Sequence, residues 1–115
     1  MLVRQWREDR CTVVHIVGDL DVAGAPRLQA ELEQAMAAAD PLHLVIDLTE
    51  VPFCDSVGLG VLVSTFNQVH QRHGRLILVV GPGMIRHLLT ITNLDHHFET
   101  TESLGEARTA LDDAA

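Results

Sequence analysis

The sequence predicts an α/β domain built on a mixed, mostly parallel sheet, and three observations predict it. Two strand-like runs stand together at the start, "LVRQW" at Leu2 to Trp6 and "CTVVHIV" at Cys11 to Val17, so the chain opens on a hairpin. Beyond Val17, helix-period and strand-like segments alternate to the end, the pattern of parallel strands joined by right-handed crossovers. The 115 residues, 47% of them hydrophobic, are enough for one core. The expected order is ββαβαβαβα, a single domain over residues 1–115 with helices packed on the sheet.

Each element has its own signal. The polar run Arg7-Glu-Asp-Arg10 turns the hairpin. Ala25, Leu28, Leu32, Ala35, Met36 and Ala39 recur at spacings of three and four and give a first helix one apolar face, with Pro26 tolerated only in its first turn. Asp40-Pro41 ends it. Leu42 to Leu48, "LHLVIDL", is a strand, Thr49 to Asp55 a loop, and Val61, Leu62, Thr65, Phe66 and Val69 the inward stripe of a second helix closed by His73-Gly74. Arg75 to Val80, "RLILVV", reads as a strand buried on both faces. Gly81-Pro-Gly83 turns it into a third helix carrying Met84, Ile85, Leu88 and Leu89, with Asn93 as its left-handed terminator. A short strand near His97 to Thr100 precedes a last helix with Leu104, Ala107 and Leu111, for which Ser103 and Glu106 form a capping box. In a parallel sheet the loops after Val17, Leu48 and Val80 leave by one edge, where open α/β sheets place their sites. That edge gathers Asp19 and Asp21, then Cys54-Asp55-Ser56, then Gly81-Pro82-Gly83.

Charge and composition narrow the function. Sixteen acidic residues against eight arginines and no lysine give a formal charge of -8, which disfavours a phosphate backbone or an anionic lipid surface as partner, so neither nucleic acid nor membrane is expected. Cys11 and Cys54 follow no metal or redox spacing and read as two buried thiols of a reducing compartment. The opening "MLVRQWREDR" is not a signal peptide, and the expected location is cytoplasmic. The expected state is a monomer or weak dimer.

Enzyme readings fail on missing parts. A serine hydrolase elbow wants G-x-S-x-G, and Cys54-Asp-Ser-Val-Gly58 lacks the first glycine. A phosphoaspartate receiver built on Asp47 with Asp19 and Asp21 wants a lysine beside the phosphate, as does a P-loop. Asp47 reads instead as a strand-end carboxylate bonded to nearby backbone amides. His70 with His73, and His96 with His97, have no third ligand at a telling spacing. No catalytic residue, metal or cofactor is therefore assigned. Two readings of Ser56 stay open: an N-cap hydroxyl, or a hydroxyl presented for another protein to modify. A cap needs no glycines behind it, yet Gly58 and Gly60 stand in the first turn at about 1 kcal/mol each relative to Ala, which makes sense where a partner approaches the backbone.

"GDLD" at Gly18 to Asp21, "LVIDLTEVPFCDSVGLGVLV" at Leu44 to Val63, and "LLTITNLDHHF" leading to "SLGEA" at Ser103 to Ala107 resemble the STAS domain of the bacterial anti-sigma factor antagonists, over about residues 3–111. The resemblance implies a partner switch in stress or sporulation control. The unphosphorylated protein binds an anti-sigma factor that is also a serine/threonine kinase and so frees a sigma factor. The kinase then phosphorylates the serine after the Asp, here Ser56, and a serine phosphatase restores it. It further implies that Asp19, Asp21, Asp55, Val57, Gly58 and Gly60 contact the partner. Asp19 stands where the family more often has Glu, Val57 where it usually has Ser or Thr, and Asn93 where it prefers Gly. The alternative function is that of a non-phosphorylated STAS component of a transport or ligand-sensing complex.

Overall fold

Branched and long aliphatic residues at every second or every position of the strands put apolar side chains on both faces of one sheet, and the fold follows from covering them. The computed structural model describes residues 1–8 and 10–113. Asp9 of the expected hairpin turn and the side chains after Asp112 lie outside the described residues. The elements are β1 (Leu2–Arg7), β2 (Thr12–Val17), α1 (Ala25–Ala38), β3 (His43–Glu50), α2 (Ser56–Gln71), β4 (Arg75–Val79), α3 (Met84–Ile91), a 3-10 turn (Leu94–His96), β5 (Glu99–Thr101) and α4 (Leu104–Asp113). The five strands lie in sequence order, β1 antiparallel to β2 and the rest parallel. The expected ββαβαβαβα order and mixed, mostly parallel sheet are present.

Strand alternation sorts the core in two. Val14, Ile16, Leu44, Ile46, Leu48, Leu76 and Leu78 pack against Leu28, Leu32 and Met36 of α1, Leu62 and Val69 of α2, and Ile85 and Leu89 of α3. Val13, Val45, Ile77 and Val79 face the other way and meet Ala107 and Leu111 of α4. One short helix does not cover that whole face. Leu2 and Trp6 of β1 remain exposed there and His15 of β2 is half-buried. Arg108 of α4 reaches Glu8, Nη2 to Oε1 at 2.6 Å, and ties the helix to the end of β1.

Helix ends follow the sequence signals with small displacements. Asn93 is left-handed at φ 61, as expected, and His73 takes the same conformation after α2, at φ 57. Ser103 Oγ accepts the Glu106 amide at 3.1 Å, while the Glu106 carboxylate accepts from the Glu102 amide one residue before the cap. β3 runs two residues further than the expected Leu48, because the neighbouring β2 still offers it a partner as far as Val17–Glu50. β5 starts at Glu99 rather than near His97, since the stretch from Leu94 to His97 closes a helical turn on the Leu94 carbonyl.

Candidate functional site

The parallel strands deliver three loops to one edge, and backbone hydrogen bonds join the first two. The Gly18 amide donates to the Glu50 carbonyl at 3.0 Å, the Leu20 amide to Phe53 at 2.9 Å, and the Asp55 amide back to Leu20 at 3.2 Å. Leu20 and Cys54 thus form an isolated parallel bridge, and the fully buried Leu20 side chain anchors it in the core. The flanking residues Asp19 and Asp21 alternate with Leu20 and stay outside, Asp19 exposed and Asp21 half-exposed. Asp21 Oδ1 accepts the Gly24 amide at 3.2 Å, and a hollow of about 400 Å³ lined by Met1, Asp19, Asp21 and Arg27 lies beside it. The third loop, Gly81-Pro82-Gly83, rises next to Thr49 and Val51 across a crevice of about 40 Å³.

The residue that caps α2 is Asp55, not Ser56. Asp55 has extended backbone angles, φ -96 and ψ -178, and its Oδ1 accepts the Gly58 amide at 2.8 Å. Its Oδ2 accepts the Val22 amide at 3.0 Å, so one carboxylate caps the helix and binds the neighbouring loop. Ser56 is the first helical residue. It is exposed, and among the described residues no hydrogen bond engages its hydroxyl. The cap reading of Ser56 is thereby corrected: Asp takes the cap because it precedes the first helical residue and its carboxylate favours the positive end of the helix.

The two glycines of the first turn differ in kind. Gly58 is buried, and a methyl on it would overlap the Leu20 carbonyl oxygen and stand 2.8 Å from Leu20 Cγ. Its smallness is required by packing inside the domain, where the helix start lies against the bridge. Gly60 is exposed and a methyl there would meet nothing within 4 Å.

Three exposed apolar residues lie near the start of α2. Val22 is 64% exposed, Phe53 41% and Val57 44%, and the bonds from Leu20 to Phe53 and from Val22 to Asp55 bring all three to the same helix start. Single exposed hydrophobes are ordinary, but three beside one helix start are a feature the core does not account for. Sequence reasoning missed Val22 and Phe53; the available signal was an apolar residue in each site loop, in "DLDV" and "VPFCD", where no strand or helix pattern could bury it. Cys54 lies beneath, its thiol pushed up to about 11 by burial and then by the charge of Asp55.

The remaining candidates stand apart from this helix start. Asp47 is buried and its Oδ1 accepts the Thr49 amide at 3.0 Å and hydroxyl at 2.7 Å, the strand-end bonding expected of it. His70 and His97 pack on the Phe66 ring, at centroid distances of 5.8 and 4.2 Å. Among the described residues no three His, Cys, Asp or Glu side chains gather as a metal site, and no helix is long and apolar enough to cross a membrane.

A five-stranded sheet in sequence order, with two loops bridged at the start of the second helix, defines a class, and the comparisons agree on it. The family model of the STAS domain matches residues 6–107. The anti-sigma-B factor antagonist of Listeria monocytogenes is 34% identical over 93 residues, 81% of either chain, and that of Bacillus subtilis is 38% identical over 81 residues, 70% of this chain and 72% of the relative. An anti-sigma factor antagonist from Mycobacterium paratuberculosis, known by crystal structure, superposes with a TM-score of 0.88 at 31% identity, covering 96% of this chain and 93% of that one. The chain belongs to the STAS domain family, and within it to the anti-sigma factor antagonists.

Proposed function

We propose that the chain is a phosphorylation-controlled antagonist that docks on an anti-sigma factor through the helix start around Ser56. The observation that carries this reading is the exposed, unengaged Ser56 hydroxyl at the first position of α2, with Val22, Phe53 and Val57 around it. The relatives named as antagonists supply the partner class. In the unmodified state the apolar ring docks, with Asp19, Asp21 and Gly60 at its margin, while Asp55 and Gly58 hold the shape beneath. The partner is also a serine/threonine kinase, which moves a phosphoryl group from magnesium ATP to Ser56; a serine phosphatase removes it.

The physics of the switch follows from position. A phosphate brings about -1.5 to -2 charges into an apolar ring that a partner must desolvate, so docking fails. The fold tolerates the same charge, because free amides and the positive end of the helix dipole meet it at the first turn. The test uses Ser56→Asp and Ser56→Ala in calorimetric titration against the cognate anti-sigma factor, with mass spectrometry of the 53–60 peptide after incubation with magnesium ATP. The expected result is a folded Asp variant that binds at least about tenfold more weakly, a shift of about 1.4 kcal/mol, and an Ala variant that binds and is not modified. An Asp variant that binds like wild type, with Ser56 unmodified, refutes the switch.

A further inference from the structure

The uncovered part of the sheet's second face holds a charged cluster that neither the core nor the docking ring uses. His15, in the middle of β2, places Nδ1 3.2 Å from Asp47 Oδ2 and Nε2 2.6 Å from Glu50 Oε2. A neutral imidazole carries one N–H and one lone pair, so it serves one carboxylate and turns a lone pair on the other. Only the doubly protonated ring donates to both. Asp47 has no freedom to swing away, because Thr49 holds its other oxygen through both amide and hydroxyl. Among the described residues, Asp47 and Glu50 of β3 bond the ring, Arg4 stands opposite His15 on β1, and the uncharged Trp6 ring has its centroid 6.5 Å away.

What the cluster holds is the root of the functional surface. The β2–β3 register shifts between His15 and Val17, and Glu50 lies opposite Val17 at that irregularity. The Glu50 carbonyl accepts the Gly18 amide at 3.0 Å, the first of the bonds that join the two site loops, and Gly18 sits at φ 102, where only glycine is at ease. His15 therefore grips the side chain of the residue whose backbone grips the other loop.

We propose that His15 is a positioning residue for the Ser56 surface: doubly protonated, it ties Glu50 to the sheet so that Glu50 holds Gly18, and loss of one ring proton slackens the two loops against each other. This deepens the docking reading and rests on it for its consequence, a platform firm while both ring nitrogens carry a proton and looser once one is lost. His15 touches no partner in this scheme and acts only through Glu50.

The test uses the free 15N-labelled chain, with pH raised from about 5 until the ring has lost its proton. Long-range proton–nitrogen spectra read the protonation of each ring nitrogen. Amide exchange at Gly18 reads the tie, referenced to Val80, whose amide bonds Thr101 at 2.8 Å on the far side of the sheet. The expected result is that Gly18 exchange, relative to Val80, rises about tenfold or more in step with His15 deprotonation, the scale of one lost charge-assisted hydrogen bond. In Glu50→Gln, at an exposed position, and in His15→Gln, each checked as folded by its amide spectrum, the ratio stays flat. A flat ratio in wild type, the same step in Glu50→Gln, or a ring already neutral at the lowest pH overturns the proposal. No partner or modification enters these measurements, so a failure of Ser56 to be phosphorylated leaves their outcome untouched.

Discussion

Replacing Gly58 and Gly60 by alanine separates internal packing from an open docking surface, because sequence treats the two alike and the structure does not. At Gly60 the added methyl meets nothing within 4 Å and the backbone φ is outside the left-handed region, so only helix propensity changes. Gly60→Ala should stabilise the domain by about 0.5–1 kcal/mol. At Gly58 the methyl overlaps the Leu20 carbonyl oxygen, and the helix start must retreat. The retreat stretches the 3.2 Å Asp55–Leu20 amide bond, about 1 kcal/mol, and disturbs packing at about 1–3 kcal/mol. A propensity gain of about 1 kcal/mol offsets part of this, leaving Gly58→Ala destabilised by about 1–3 kcal/mol. Thermal unfolding followed by circular dichroism reads both, at roughly 4 °C per kcal/mol for a domain of this size. Tm should rise by about 2–4 °C for Gly60→Ala and fall by about 4–12 °C for Gly58→Ala. A Gly58→Ala protein as stable as Gly60→Ala would refute the close packing of the helix start on the bridge. Under the docking reading Gly60→Ala still weakens partner binding while the fold gains.

Three further outcomes are expected. Ser56→Ala should change stability by less than about 0.5 kcal/mol, whereas Asp55→Ala should lose about 0.5–2 kcal/mol with its cap; equal losses in thermal melts would return the capping role to Ser56. The hydrogen bond from Arg108, with a second from Trp6, holds the Glu8 carboxyl down from the ordinary 4.5 to about 2. A depressed carboxyl stabilises the fold above its unfolded value, and that contribution is lost as pH falls from about 4.5 to about 2. Glu8→Gln should therefore flatten the acid limb of a Tm titration over that range, modestly because the pair is largely solvated; an unchanged limb would count against the Arg108 tie. Cys54, buried with its thiol near 11, should resist a disulfide reagent at pH 8 in the native protein and react promptly once denatured, and rapid native labelling would contradict its placement under the loop.

The sequence by itself determined the order of elements, the sheet's mixed character and the family. These rest on local periodicity, on turn residues such as Asn93 and Ser103, and on a motif contiguous in the chain, all of which survive reading one window at a time. It also singled out the start of the second helix. Which residue does what at that start was decided only by tertiary contacts. Asp55 and Ser56 are both good caps by type; the fold begins the helix at Ser56, which leaves Asp55 to cap it and to accept, with its second oxygen, the Val22 amide from a loop 33 residues away. Gly58 and Gly60 look equivalent until Leu20 is laid across one of them. Val22 and Phe53 lie exposed while other residues fill the sheet face under α1 and α2, and His15 lies on the opposite face outside the cluster that packs against α4. A strand histidine has no meaning in one dimension. It acquires one when the parallel register sets Asp47 beside it and a shift in that register brings Glu50 to its other nitrogen.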